Sequence, residues 1–168
     1  ALTDDTNERM KAARQIVETL AEGEPTYGVS TGFGSLATVT IPPERRASLQ
    51  ESLVRSHAAG MGPNVETEVV RAMVFLRART LAMGHSGTRP VVAQSLLALI
   101  NHGIHPLWPE HGSLGASGDL APLAHGALAL LGEGAVEVGG VVQPASQALA
   151  AAGLEPLTLS DKEGLALI

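Results

Sequence analysis

The chain has 168 residues, a formal charge of −6 and no cysteine. Seventeen acidic residues against eleven basic ones, with no long run of like charge, argue against nucleic acid and anionic membrane as partners. The lack of cysteine excludes disulfide frameworks and thiolate zinc sites and fits a reducing compartment. Hydrophobic residues make up 45% while aromatics make up only 2%, so the core has to be built from Ala, Leu and Val in close helix packing. A mean hydropathy of +0.18 is high for a soluble monomer and points to apolar surface buried against another chain.

The start, Ala1-Leu2-Thr3-Asp4-Asp5, is acidic where a secretory signal would be basic and then apolar. The longest near-apolar run, residues 91–100, is half of the roughly 20 residues a spanning helix needs. Both features predict a soluble cytoplasmic protein. Thr3 or Asp4 is placed to cap a first helix whose inner face carries Met10, Ala13, Val17 and Leu20, and Gly23 and Pro25 end it. Residues 26–41 read as a loop rich in Gly, Thr and Ser. Pro42-Pro43-Glu44 opens a second helix, with Leu49, Leu53 and His57 at intervals of four, stopped by Gly60, Gly62 and Pro63.

A third helix is expected over 66–83, with Val69, Met73 and Leu76 inward and Arg71 and Arg79 towards solvent. A turn over 84–90 leads into a fourth helix that ends near Asn101. Residues 103–119 read as a second long irregular segment, followed by a fifth helix over 120–131. Val136-Glu137-Val138-Gly139-Gly140-Val141-Val142 is a hairpin turning at Gly-Gly. Pro144 starts a further short helix, and another begins near residue 163. The fold class is therefore mainly α, a helical domain over 1–168 with long glycine-rich loops and a small β-hairpin. Loops of that length inside a compact domain usually have a function.

The second loop contains Gly112-Ser113-Leu114-Gly115-Ala116-Ser117-Gly118-Asp119. Its plain reading is a helix entry, with Ser117 or Asp119 as cap. Its chemical reading is autocatalytic cyclisation, in which a backbone amide nitrogen attacks a carbonyl carbon two residues back. Glycine is the natural attacker because it lacks a Cβ. The middle residue must lose a hydroxyl as water, as serine can, leaving a methylidene electrophile. Ala116, Ser117 and Gly118 satisfy these demands, and a helix amino terminus downstream would stabilise negative charge there.

Gly115-Ala116-Ser117-Gly118-Asp119-Leu120-Ala121-Pro122-Leu123-Ala124-His125 resembles the signature of the aromatic amino acid ammonia-lyase family. Tyr27-Gly28-Val29-Ser30-Thr31-Gly32-Phe33-Gly34 resembles that family's mobile loop, and Ser56-His57-Ala58-Ala59-Gly60 its substrate-contacting segment. Ser86-Gly87-Thr88-Arg89-Pro90 is also similar, and the resemblance runs over nearly the whole chain in family order. It implies the ammonia-lyase (fumarase/aspartase-like) fold, with this chain matching the amino-terminal portion before the central helical bundle. It further implies a methylidene-imidazolone made from Ala116, Ser117 and Gly118, with no metal or external cofactor.

In the roles that the resemblance implies, Tyr27 is the catalytic base, Gly34 lets the backbone approach the substrate carboxylate, and His57 orients the substrate ring. Ser56-His57 resembles the histidine-type members, which implies non-oxidative deamination of L-histidine to urocanate and ammonia. Tyrosine lyases or aminomutases of the same family are the alternative, as is a catalytically silent structural or assembly fragment. Family members are homotetramers, and their further sequence supplies the bundle, more substrate-binding residues and most of the interface. Glu163-Gly164-Leu165-Ala166-Leu167-Ile168 matches a motif that continues in the family into an active-site asparagine.

Two other readings rank lower. His102, His105 and His111, with Glu110, suggest a metal site, but Gly103 and Pro106 disfavour a regular helix there. Residues 30–35 lack the Gly-Lys-Ser/Thr ending of a phosphate loop.

Overall fold

A computed structural model describes residues 1–115 and 119–168. Helix α1 spans Asp4–Glu22; Thr3 caps it, its hydroxyl accepting the Thr6 N–H, and Asp4 and Asp5 complement the positive end of the helix dipole. Gly23 follows as the carboxyl cap. The inner face differs from the expected stripe. Met10 and Val17 are buried, but Leu20 is exposed and Arg14 is buried in its place. Arg14 turns inward because it donates to the Asp161 carbonyl at 2.8 Å and to Ser160 Oγ at 3.0 Å. Hydrogen bonding to a distant segment thus sets the face.

The same holds for α2, Pro43–His57, which opens on proline as expected. Leu53 is buried, Leu49 only half-buried, and the buried face begins with Arg46 and Gln50. Gln50 Oε1 accepts the Leu165 N–H at 3.0 Å. A Cβ on Gly164 would sit 2.5 Å from the Gln50 carbonyl oxygen, so glycine is what lets the two backbones meet.

Helices α3, Thr67–Ala82, and α4, Pro90–Asn101, pack on each other and form the centre of the core. The expected face of α3 is corrected by about one residue. Val70, Val74, Ala78 and Leu81 face inward, while Val69 and Leu76 are exposed and Met73 is half-buried. With apolar residues at 69, 70, 73, 74, 75, 76 and 78, the helix is apolar almost all round, and periodicity alone cannot choose the side. Arg71 and Arg79 are exposed as expected.

The segment 103–119 is less irregular than expected. It contains strands β2, Ile104–Pro106, and β3, Pro109–His111. The Gly-Pro stretch after α2 likewise forms β1, Met61–Asn64, which pairs antiparallel with β3, Met61 opposite His111. Strands β4, Ala135–Val138, and β5, Val141–Pro144, make the expected hairpin, with Gly139 and Gly140 both at positive φ. Strand β2 adds to it, giving the order β2-β4-β5 with His105 opposite Glu137. Short strands lacking alternation and rich in Gly and Pro leave no sequence trace, because partner strands define them.

Helix α5, Leu120–Leu130, follows the second loop, then α6, Ala145–Ala151, and α7, Glu163–Leu167. Close packing is aliphatic apart from Trp108, whose ring lies against Gly126 of α5, where a Cβ would stand 3.3 Å from it. Among the described residues no helix is long and apolar enough to cross a membrane.

Candidate active site

Tyr27 projects from the first loop, half exposed, with its ring edge-on to Phe33 at 6.2 Å. Gly34 lies at φ +54 and donates its N–H to the Tyr27 oxygen at 3.4 Å. That bond uses a lone pair and leaves the phenol hydrogen free for another acceptor. Tyr27 and Gly34 thus meet within the first loop. Nothing lies within 4 Å of a Cβ built on Gly34, so its backbone faces open space, as close approach by a ligand requires.

The loop is anchored rather than loose. The Ser30 hydroxyl accepts the Thr26 N–H at 2.9 Å, Ile41 donates to the Ser30 carbonyl, and Thr31 bridges to Thr40. Gly28, at φ +68, is packed under Leu165 of α7 and beside Phe33. Helix α7 is in turn held by three cations or amides. Gln50 binds it from α2, Arg77 of α3 donates to the carbonyls of Ala166, Leu167 and Ile168, and Arg89 pairs with Glu163. Burial lowers the Arg77 pKa, while the Glu163 carboxylate raises that of Arg89.

His57 is the last residue of α2. Its Nδ1 donates to the Leu53 carbonyl at 2.9 Å, so Nε2 carries the lone pair of the neutral ring. Ser56 Oγ donates to the same carbonyl and lies 3.0 Å from Nδ1, holding the ring's orientation. Three residues on, the Gly60 N–H donates to His125 Nε2 at 3.0 Å, which joins the His57 segment to α5. Burial lowers the His125 pKa and keeps that nitrogen an acceptor.

Ala116, Ser117 and Gly118 lie outside the described residues. Asp119 occupies the cap position of α5, yet its side chain makes no capping hydrogen bond. Its Oδ1 is buried with no partner among the described residues. On the upstream side, a Cβ on Gly112 would meet the Gly60 Cα at 3.2 Å and the Ala121 Cβ at 3.2 Å. Asp119 thus contributes no side-chain cap to α5, and Gly112 passes Gly60 and Ala121 at close range.

Among the described residues no three His, Cys, Asp or Glu side chains come close enough to hold a metal ion. His105 faces Glu137 on the sheet instead, its pKa lowered by burial and by Arg71. A cavity of about 350 Å³ lies between residues 39–42 and α2, but its lining includes neither Tyr27, Gly34 nor His57. Sequence reasoning missed His125, Gln50 and the Arg89–Glu163 pair. His125, Arg89 and Glu163 sit inside the quoted motifs, which is the signal that was present, whereas Gln50 lies outside them.

The family described as aromatic amino acid lyase matches residues 1–168. A histidine ammonia-lyase of Streptomyces griseus is 59% identical over 163 residues, covering 96% of this chain and 32% of that one. One from Geobacillus thermodenitrificans is 55% identical over 165 residues, 96% of this chain and 33% of that one. Among solved structures, ergothionase from Treponema denticola superposes with a TM-score of 0.96 at 35% identity, covering 100% of this chain and 34% of that one. Tyrosine aminomutase from Streptomyces globisporus gives 0.92 at 44% identity, with coverage of 100% and 32%. The chain thus spans about a third of the length of the curated relatives it matches. It belongs to the aromatic amino acid lyase family.

Proposed function

We propose that this chain is the amino-terminal domain, residues 1–168, of an enzyme that removes ammonia from an aromatic amino acid without oxidation. The favoured substrate is L-histidine, giving urocanate and ammonia. A methylidene-imidazolone made from Ala116, Ser117 and Gly118 would supply the electrophile that turns the substrate amine into a leaving group. The observation that carries this reading is the identity of 55–59% to histidine ammonia-lyases over nearly the whole chain. The joining of the three motif segments through α2, α5 and α7 supports it.

The chain's own residues divide the work. Tyr27, having passed its phenol proton to an acceptor, takes the β-proton as phenolate while the C–N bond breaks and ammonia departs, with the Gly34 N–H donating to that oxygen. The exposed backbone at Gly34 approaches the substrate carboxylate. His57 offers the Nε2 lone pair to a ring N–H, a donor that imidazole has and phenyl lacks. A second reading, tyrosine as substrate, draws on the 44% identity to the tyrosine aminomutase structure. Catalysis belongs to a homo-oligomer of the longer protein.

The intact mass of the purified chain tests the proposal first. A deficit of two waters, mapped to residues 112–125 and lost in Ser117→Ala, is the expected result. The unmodified mass in the 168-residue chain and in the longer protein alike would overturn it. Histidine set against tyrosine, followed by urocanate absorbance, then separates the two substrates. In Tyr27→Phe, kcat should fall by roughly 100-fold or more while the mass deficit persists.

A further inference from the structure

One buried side-chain amide joins the Tyr27 loop to the helix that carries His57. Helix α7 has Lys162 at its cap position, at φ +68, and that residue gives the first turn no side-chain hydrogen bond. The first amides of a helix have no partner within it. Gln50 of α2, only 1% exposed, supplies one from outside, its Oε1 accepting the Leu165 N–H at 3.0 Å. The side chain of the same Leu165 fills the space that a Cβ on Gly28 would need, and Phe33 Cε1 lies 3.2 Å from that point. Phe33 is also the ring that meets Tyr27 edge-on. Leu165 and Phe33 therefore make the floor on which the backbone next to Tyr27 rests.

We propose that Gln50 is a positioning residue for Tyr27, acting through the amide and side chain of Leu165. The inference rests on the proposed role of Tyr27 as the base. Gln50 and His57 are seven residues apart on α2, which places them on one face, about 10 Å apart along the helix axis. One end of that face carries the residue that orients the substrate ring, and the other end holds the floor beneath the base. A single helix thus sets the separation between the ring and the phenol oxygen, which has to reach the proton within hydrogen-bond distance. Ser30 and Thr31 tie the later part of the loop to residues 40 and 41, so the part next to Tyr27 takes its position from α7. Displacing Leu165 would move Tyr27 relative to His57 while leaving both side chains intact. A misplacement of about 1 Å can cost on the order of 100-fold in rate.

The test uses the full-length protein. Gln50→Leu keeps the bulk and leaves the Leu165 N–H without its acceptor. Leu165→Ala removes the floor, and Leu165→Met keeps it. Each is made alone and together with Tyr27→Phe, and kcat is measured at saturating histidine. Hydrogen exchange is followed in peptides from residues 26–36 and from the β4–β5 hairpin. The expected result is a kcat lower by roughly fivefold or more in Gln50→Leu and Leu165→Ala, and within about twofold of wild type in Leu165→Met. In the Tyr27→Phe background none of the three should change kcat by more than about twofold, because the group they position is gone. Exchange over 26–36 should quicken in Gln50→Leu and Leu165→Ala while the hairpin stays unchanged.

An equal fall in kcat with and without the Tyr27 hydroxyl overturns the proposal. So does unchanged kcat, or unchanged exchange over 26–36, in both Gln50→Leu and Leu165→Ala. Should Gln50→Leu fail to fold, Leu165→Ala decides by the same readouts. A wild type that deaminates no aromatic amino acid removes the role of Tyr27 and that of Gln50 with it. That failure is distinguishable, because the contrast in exchange between the two peptides would persist without turnover.

Discussion

At the scale of single residues, Glu163 carries a heavy hydrogen-bonding load out of contact with water. Its carboxylate is fully buried and accepts four bonds, from the Arg89 backbone and Nε on one oxygen and from Arg89 Nη2 and the Ser160 N–H on the other. Replacing it by glutamine turns one acceptor into a donor that faces donors. Arg89 is partly exposed and regains some hydration, so the loss belongs at the lower end for a broken buried pair. Glu163→Gln should cost about 3 kcal/mol, read from urea denaturation midpoints. A loss well under half of that would mean that α7 is held chiefly by Gln50 and Arg77.

Two histidines give a pH dependence with a defined sign. His125 and His105 both have pKa values below the ordinary 6.5, His125 through burial and His105 through burial and then Arg71, partly opposed by Glu137 and Glu68. Folding therefore favours the neutral rings, and the unfolded chain takes up protons first as pH falls. The stability they contribute is complete above about pH 6.5 and declines below it. Unfolding midpoints at pH 7.5 and 5.5 should differ in that direction, and the difference should shrink in His125→Gln. An unchanged difference in that variant would assign the effect to His105 or to carboxylates.

At the scale of elements, the Tyr27 loop depends on α7, more than 130 residues later. Gly28 has φ +68, a region where a side chain costs about 1–2 kcal/mol, and an added methyl would meet Leu165. Gly28→Ala should lift the loop from α7, raising the protease susceptibility of residues 26–41 while far-ultraviolet circular dichroism stays unchanged. Equal cleavage rates in variant and wild type would show that the Ser30 and Thr31 bonds suffice to anchor it.

The elements also show what the sequence could reveal. Boundaries marked by chain chemistry were legible: Thr3 as cap, Pro43 at a helix start, Gly139-Gly140 in the hairpin. Elements defined by distant partners were not. Strand β1 exists because β3 lies opposite it, and Arg14, Arg46 and Gln50 are buried because remote carbonyls and amides receive them. The link made by His125 was not legible either, because its partner, the Gly60 N–H, is 65 residues away.

At the scale of the whole molecule, the misjudged face of α3 becomes informative. Val69, Leu76 and Met83 recur every seven residues along one exposed line, with Phe75 beside it. A soluble surface seldom gathers such residues unless something covers them. The chain also spans only about a third of the curated relatives it matches. The 168-residue chain by itself should therefore self-associate, with an apparent mass in light scattering that rises with concentration. Phe75→Glu with Leu76→Glu should reduce that association without lowering the unfolding midpoint, since neither side chain belongs to the buried cluster. If the doubly charged variant associates as strongly as the parent, the contact lies elsewhere, and the apolar line on α3 is ordinary surface.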